Sequence, residues 1–169
     1  MPLTALDRSA PRLKRLRESL TRTGLAAEVI VAQAEAWDDE RVFDAVLVDA
    51  PCSSTGTFRR NPDVLWTIRP GDIVKLADVQ ARLLDAAARR VRSGGRLVYC
   101  VCSLESEEGE AQARGFLGRH PDFEGAPIAA GEGASPQASR TPEGWLRILP
   151  SHREGGLDGF FVARFIRKA

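Results

Sequence analysis

Two apolar runs with a long amphipathic segment between them constrain the fold of this chain more than any other feature. The runs cover residues 43–48 and 96–102, and apolar side chains recur at helical spacing from Ile73 to Val91 between them. A continuous apolar run is typical of a strand buried on both faces, and a helix that connects two strands makes them parallel. We therefore predict an α/β fold with a mainly parallel sheet.

The remaining segments extend this alternation of strands and helices. The predicted elements are a strand closing at Asp7, a helix from Ser9 to the stop at Gly24, a strand at 29–32, and closing strands at 145–149 and 159–166. The two closing strands are expected to pair antiparallel, because no helix separates them. Residues 125–144 are rich in Gly, Ala, Pro and Ser and indicate a flexible connection.

Glycine and acidic residues mark the expected helix boundaries near the second apolar run. Gly94 and Gly95 are predicted to end the long helix, so that the next strand begins at Arg96. Glu107, Glu108 and Glu110 crowd the expected start of another helix, where negative charge favours the helix dipole.

Composition excludes several classes of protein. The 169 residues fit one domain, and 43% hydrophobic residues suffice for a sizeable core. A net charge of +1 gives no global positive field, so contact with nucleic acid requires local patches or a partner domain. We expect no membrane span, since no apolar run is long enough. Three scattered cysteines without a signal-peptide pattern favour a reducing cytoplasm.

A cysteine motif follows each of the two predicted strands of the central unit. The first is DAPCSSTGT, from Asp49 to Thr57, and the second is YCVCSLE, from Tyr99 to Glu105. Ligands of α/β sheets bind beyond the carboxyl ends of the strands, where Asp7 also falls. Two thiols and a carboxylate at this edge suit covalent attack on an aromatic ring better than a structural disulfide.

Together with DGFFVARF near the C-terminus and ALDRSAPRLKRLRESLTRTGL near the N-terminus, these motifs resemble the Sun-type (Nol/Nop/Sun, Fmu-like) RNA cytosine-5 methyltransferases. The resemblance runs from about Thr4 to the C-terminus. It implies a Rossmann-like methyltransferase sheet, mostly parallel with an antiparallel C-terminal strand. It also implies S-adenosylmethionine as cofactor and RNA, above all ribosomal RNA, as substrate.

The chemistry of such an enzyme requires a thiolate that adds to cytosine C6, a group at the N3/N4 edge, and a base for elimination. The resemblance assigns attack to Cys102, help with elimination and product release to Cys52, and the cytosine edge to Asp49. It assigns cofactor binding to Asp7, Gln33, Asp49 and Pro51. Gln33 departs from the family, which usually has Asp at this position near the adenine.

Several alternatives stay open at this point. Cys52 could itself attack, as the proline-cysteine nucleophile of DNA cytosine-5 methyltransferases does. Cys100 is interpreted as a packing residue. A metal site formed by Cys100 and Cys102 would need a second pair of ligands, which the sequence does not offer, so no metal is expected. Asp7 could instead cap the helix at Ala10. Trp66 could stack on a base, although a core anchor for its loop is the preferred interpretation.

The family's first strand and its glycine-rich cofactor loop, alanine-proline-glycine-glycine-lysine, have no counterpart before Leu3. We therefore expect residues 1–169 to form a partial catalytic domain with weak or no activity alone. The alternatives are a non-catalytic remnant that acts as a binding or assembly module, and a methyltransferase for DNA or an amino group. We also expect the strands ending at Asp7 and Asp49 either to pair directly or to form a homodimer through their free edges.

Overall fold

A computed structural model describes residues 2–129, 132 and 139–169 of the chain. The chain divides into two compact units, Met1–Glu40 and Arg41–Ala169. No helix in the described part of the chain is long and apolar enough to cross a membrane.

The first unit is a parallel strand pair connected by one helix. Strand β1 (Thr4–Asp7) pairs with β2 (Glu28–Val31), and α1 (Ala10–Thr23) connects them. The Ser9 side chain caps α1 by accepting a hydrogen bond from the Arg12 amide at 3.4 Å. The helix ends at Gly24, whose φ of +67° is a left-handed conformation that glycine adopts without steric cost. The predicted strand, helix and strand are therefore confirmed.

The second unit is a five-stranded mixed sheet with helices. Its elements are β3 (Phe43–Asp49), α2 (Val64–Thr67), α3 (Pro70–Ala88), β4 (Val91–Val101), α4 (Glu110–Arg119), β5 (Phe123–Gly125), β6 (Leu146–Ile148) and β7 (Phe160–Arg167). The strand order is β3-β4-β7-β5, and β6 also pairs with β7. Strands β3 and β4 are parallel, whereas β7 is antiparallel to β4, β5 and β6.

The helix-linked strand pairs are parallel and the C-terminal strand is antiparallel, which confirms the predicted α/β class. The antiparallel pairing of the two closing strands, β6 and β7, is confirmed as well. Strand β5 was not predicted, because three residues are too few to give a periodic signal.

The core of the second unit lies between its sheet and helices α3 and α4. Alternate residues of β4 and β7 are fully buried, as the two-residue period of a strand requires. The largest buried side chains include Leu84, Leu97, Tyr99, Phe116, Trp145, Phe161 and Phe165. Burial of each contributes about 1.5–3 kcal/mol of transfer free energy, so this core supports the β3–β4 edge that carries the cysteines.

Three structural expectations from the sequence are wrong. Strand β3 is covered on one face only: Val46 and Val48 pack against the core, whereas Leu47 is 68% exposed. Helix α3 ends at Ala88, because the buried Val91 already pairs with Phe43 as the first residue of β4.

The third wrong expectation is that Gly94 and Gly95 end the helix before β4. Both glycines lie inside β4, where the pairing register with β3 shifts. Gly94 has a φ of +70° there, and a Cβ on Gly95 would lie 2.8 Å from the Arg92 carbonyl oxygen. The glycines therefore accommodate an irregularity of the strand.

Strand pairing in the described residues is confined to each unit, since β1 pairs with β2 and β3 pairs with β4. Direct pairing of the strands that end at Asp7 and Asp49 is therefore not found. The homodimer, the other alternative, stays a prediction.

The expected flexible connection at 125–144 lies partly outside the described residues, which omit 130, 131 and 133–138. Its described ends make backbone hydrogen bonds: the Ala126 amide donates to the Arg164 carbonyl at 2.8 Å, and the Ile128 amide donates to the Gly144 carbonyl at 3.0 Å. Both Ala126 and Ile128 are buried, so the connection begins as ordered structure.

Candidate functional site

The two motif cysteines lie in contact at the carboxyl ends of β3 and β4. The Sγ atoms of Cys52 and Cys102 are 3.5 Å apart, and both residues are partly buried. Because β3 and β4 are parallel neighbours, their carboxyl ends meet at one sheet edge. Backbone hydrogen bonds continue past the strands, from the Ala50 amide to the Cys100 carbonyl at 3.1 Å and from the Gly56 amide to the Cys102 carbonyl at 3.0 Å.

The loop after β3 turns sharply at Ser54, between Cys52 and a short helical turn at Thr55–Thr57. Ser54 has a φ of +59°, and among the described residues it is the only non-glycine residue with positive φ. A side chain in the left-handed region costs about 1–3 kcal/mol. The turn brings the Ser54 hydroxyl to 3.6 Å from the Cys102 Sγ atom, so the strained residue contacts the thiol directly.

The two thiols differ strongly in acidity. The pKa of Cys102 is lowered to about 6, because hydrogen bonds from Cys52 and then Ser54 favour its thiolate over the opposing effect of burial. The pKa of Cys52 is raised far above its ordinary value, first by its hydrogen bond to Cys102 and then by burial. At neutral pH Cys102 is therefore the thiolate and Cys52 the thiol that donates to it.

Asp49 is the last residue of β3 and is exposed. Its Oδ1 atom lies 3.8 Å from the Sγ atom of Cys100, the residue opposite it on β4. Burial, and then the Asp49 carboxylate, raise the pKa of the Cys100 thiol to about 12. Cys100 is thus a buried neutral packing residue, and Asp49 offers carboxylate oxygens next to the cysteine pair.

A buried polar cluster that the sequence did not reveal lies beneath the cysteine loops. Its centre is Glu108, which is 0% exposed. The Glu108 carboxylate accepts hydrogen bonds from the Ser53 amide at 2.9 Å, from Gln80 Nε2 at 3.0 Å, and from the hydroxyls of Ser53 and Ser103. The predicted helix start is confirmed by Glu110, which lies in the first turn of α4, whereas Glu108 precedes the N-cap and its side chain is buried in the core.

In the sequence, the only sign of this buried polar cluster is Gln80, a polar residue on the apolar face of the predicted helix. It occupies a position among apolar residues on the buried face of α3 and is 0% exposed. Its Nε2 group donates to the Pro51 carbonyl at 2.9 Å as well as to Glu108. A glutamine on an apolar helix face has to find buried partners, whereas no pattern distinguishes Glu108 from its exposed neighbour Glu107.

Two of the other predicted cofactor residues, Asp7 and Gln33, belong to the first unit, whereas Pro51 belongs to the second. Asp7 ends β1, and its carboxylate accepts hydrogen bonds from the Ser9 amide at 2.7 Å and from Arg12 Nη1 at 3.4 Å. The alternative in which Asp7 caps the helix is wrong, because Ser9 is the N-cap of α1 and, within the described part of the chain, Asp7 accepts from the Ser9 amide and from Arg12. The remaining lone pairs of the Asp7 carboxylate suit hydroxyl donors. Gln33 is exposed after β2, and its side chain makes no capping hydrogen bond.

The loop from Phe58 to Ile68 is basic and has an exposed indole. Arg60 donates to Asp158 through Nε at 2.7 Å, and Arg59 lies 4.0 Å from the same carboxylate. Trp66 is 86% exposed, so the expectation that it anchors this loop in the core is wrong. One turn of helix, Val64–Thr67, is too short to bury both of its sides.

Comparison with known proteins places this geometry in a family. The model of the 16S rRNA methyltransferase RsmB/F family matches residues 1–166. The chain belongs to the RsmB/F methyltransferase family. This membership confirms the predicted Sun-type family and its cofactor, S-adenosylmethionine. The carboxylate of Asp49 fits such a ligand chemically, since it offers acceptors for hydroxyl and amino groups.

Relatives and a solved structure agree with the family match. Ribosomal RNA small subunit methyltransferase B of Xylella fastidiosa is 44% identical over 98% of this chain and 38% of its own length. The protein of the same name from Sodalis glossinidius is 39% identical over 97% of this chain and 36% of its own. NSun6 from Pyrococcus horikoshii, solved with SFG, superposes with a TM-score of 0.80 at 26% identity, covering 98% of this chain and 41% of its own. The chain thus spans little more than a third of the curated RsmB/F relatives.

Proposed function

We propose that this RsmB/F chain carries the catalytic cysteines of an RNA cytosine-5 methyltransferase that uses S-adenosylmethionine, with Cys102 as nucleophile. The observation that carries the proposal is the contact of the two thiols, whose Sγ atoms are 3.5 Å apart, with the pKa of Cys102 lowered to about 6. A thiolate at neutral pH is the form that attacks. The rival in which Cys52 attacks is disfavoured, because the pKa of Cys52 is raised.

The reaction begins when the Cys102 thiolate adds to C6 of the cytosine. A C–S bond forms, the C5–C6 double bond opens, and its electrons make C5 nucleophilic. S-adenosylmethionine, when bound, supplies the methyl group that C5 takes. Removal of the C5 proton then returns the electron pair to the C5–C6 bond and expels Cys102 as thiolate.

Cys52 is suited to the elimination step because its acidity depends on the state of Cys102. Its pKa is raised chiefly by its hydrogen bond to the Cys102 thiolate, with burial second. Once Cys102 is a thioether in the adduct, that contribution is lost and the pKa of Cys52 falls. Cys52 can then lose its proton and accept the one on C5, so the base becomes available only after attack.

Asp49 and the three other predicted cofactor residues are proposed as binding groups. The exposed Asp49 carboxylate would accept from the cytosine amino group or from the cofactor. Asp7 would accept from ribose hydroxyls, and Gln33 would contact the adenine. Pro51 is exposed with its carbonyl held by Gln80. Asp49→Asn is expected to weaken S-adenosylmethionine binding by about tenfold, a loss of ~1.4 kcal/mol, measured by calorimetry.

Covalent trapping on RNA that contains 5-fluorocytosine tests the assignment of the cysteines. With S-adenosylmethionine added, methyl transfer would leave a methyl group and fluorine on C5, so no proton can leave, elimination stops and the adduct persists through denaturing electrophoresis. We expect the adduct with the parent protein and with Cys52→Ala, and no adduct with Cys102→Ala. An adduct that is lost in Cys52→Ala and kept in Cys102→Ala would refute the assignment.

Ribosomal RNA is the proposed substrate, because the curated relatives are named small-subunit rRNA methyltransferases. Bisulfite sequencing of 16S rRNA from cells without the gene tests this proposal. One cytosine should lose its protection, and the gene with Cys102→Ala should not restore it. An unchanged pattern of protected cytosines would exclude 16S rRNA as the substrate.

A further inference from the structure

Glu108 is a buried carboxylate whose described partners are all neutral hydrogen-bond donors. It is 0% exposed, and it accepts from two serine hydroxyls, one backbone amide and one glutamine side chain. An ionised group without water or a cation is costly unless such donors satisfy it. A side chain that stabilised only the helix dipole of α4 would lie in solvent, as Glu107 does.

The donors come from three separate parts of the second unit, and each lies beside a cysteine loop. Ser53 stands between Cys52 and Ser54, and Ser103 directly follows Cys102. Gln80, from helix α3, donates both to Glu108 and to the carbonyl that precedes Cys52. One carboxylate thus holds the loop after β3, the loop after β4 and helix α3 together.

The backbone of Glu108 is fixed as well. The Tyr99 hydroxyl, fully buried on β4, donates to the Glu108 carbonyl at 2.6 Å. The Ser103 hydroxyl also accepts from the Glu105 amide at 3.0 Å, and Thr55 accepts from the Leu104 amide at 2.9 Å. Because these bonds cross-link both loops, a change at the carboxylate is transmitted to the two segments that carry the thiols.

We propose that Glu108 is a positioning residue, whose carboxylate holds the Cys52 and Cys102 loops so that Cys52 and Ser54 stay in contact with the Cys102 sulfur. The proposal rests on Cys102 as the nucleophile of the proposed function. It predicts that loss of the carboxylate lets the donors at positions 52 and 54 move away from Cys102. The Cys102 thiolate then loses its stabilisation even in a molecule that stays folded.

The decisive change is Glu108→Gln, which keeps the size of the side chain. The new amide has one acceptor oxygen, and its NH2 group faces donors such as the Ser53 amide and the Gln80 side chain. Glu107→Gln is the matched control, because it makes the same change in charge one residue earlier on an exposed side chain. All proteins carry Cys100→Ala, so that mass spectrometry reads Cys102 as the only cysteine of its peptide.

The readout is the rate at which iodoacetamide alkylates Cys102 between pH 5 and pH 9.5. The parent should titrate with a midpoint near pH 6. Glu108→Gln should move the midpoint above pH 7.5, which lowers the thiolate fraction at pH 6.5 about eightfold. Glu107→Gln should leave the midpoint in place. The titratable groups that face Cys102 are Cys52, Asp49 and Arg60, with Cys100 replaced by alanine throughout, and none of them differs between these proteins.

A purely structural role for Glu108 gives a different result. Circular dichroism and the urea midpoint of each variant report folding separately. A folded Glu108→Gln protein with an unchanged Cys102 midpoint overturns the proposal, however much its stability has fallen. If Glu108→Gln does not fold, Gln80→Met decides, because it removes one donor to the carboxylate. Its midpoint should rise by at least half a pH unit, and an unchanged midpoint overturns the proposal.

The same experiment separates this proposal from the proposed function. A parent midpoint near the ordinary thiol value of about 8.5 contradicts Cys102 as an activated nucleophile. A midpoint near pH 6 in the parent and in both Glu108→Gln and Gln80→Met leaves the nucleophile intact and refutes only the positioning role.

Discussion

Substitution of Gly56 by alanine should destabilise the second unit and disturb the cysteine site together. A Cβ atom on Gly56 would lie 2.2 Å from the Gly159 carbonyl oxygen and 2.9 Å from the Gly159 Cα atom. These are backbone atoms, so no rotamer change relieves the clash. The two segments have to separate by about 1 Å to reach ordinary contact distance.

That separation breaks two backbone hydrogen bonds. The Gly159 amide donates to the Gly56 carbonyl at 2.7 Å, and the Gly56 amide donates to the Cys102 carbonyl at 3.0 Å. Each bond contributes about 1 kcal/mol, and overpacking of a buried site costs about 1–3 kcal/mol. Alanine also restricts the conformational freedom of the unfolded chain, which offsets about 0.4–1 kcal/mol of this destabilisation. We therefore expect Gly56→Ala to lower the free energy of unfolding by about 2–4 kcal/mol.

Urea denaturation followed by circular dichroism at 222 nm measures this loss. Gly118→Ala is the control, because Gly118 lies within α4 and a Cβ there meets no atom within 4 Å. Alanine at that position should stabilise the protein by about 0.5–1 kcal/mol. A loss below 1 kcal/mol for Gly56→Ala would refute the close approach of the Cys52 loop to the start of β7.

Three further predictions follow from side chains around the core and the site. Cys52→Ala removes the main stabiliser of the Cys102 thiolate. The fraction of Cys102 that is thiolate at pH 7 should therefore fall from about 0.9 to about 0.03. A pH midpoint of Cys102 alkylation that stays near pH 6 would contradict this. Burial raises the pKa of Glu110, but the hydrogen bond from Arg147 outweighs burial and holds the pKa below its ordinary 4.5. The Glu110–Arg147 pair therefore stabilises the fold above pH 4.5. This stability is lost as the pH falls through the lowered pKa. Urea midpoints at pH 7 and pH 3 should show a smaller acid loss for Glu110→Gln, and an equal loss argues against the ion pair. Trp66→Ala should change the free energy of unfolding by no more than about 0.5 kcal/mol, because the indole is exposed; a loss above 2 kcal/mol would mean that Trp66 anchors its loop after all.

The periodic parts of the fold could be predicted from the sequence, since their signals are local. Ser9 and Gly24 bound α1 as expected, because capping depends on the residues at the helix ends. The end of α3 was misplaced for the opposite reason. Val91 continues the apolar helical period, yet its pairing with Phe43 and its complete burial place it in β4. Tertiary pairing determined that boundary.

The site was predictable where a reactive side chain ends a strand. Cys52, Cys102 and Asp49 follow apolar runs, and the parallel pairing of β3 and β4 brings them to one edge. The polar groups beneath them were not predictable from spacing. Glu107 and Glu108 are identical neighbours, and only the course of the chain between β4 and α4 leaves the first exposed and buries the second.

Two identical thiols in contact cannot both be thiolates, because like charges 3.5 Å apart repel. The surroundings therefore decide which thiol keeps its proton. The Ser54 hydroxyl stabilises charge on Cys102, whereas burial and the negative charge of Glu108 disfavour charge on Cys52. The hydrogen bonds of Glu108 in the proposed positioning role and its negative charge thus both favour the thiolate on Cys102 over a thiolate on Cys52. If Cys102 is the nucleophile, this asymmetry explains why the roles of the two cysteines do not exchange.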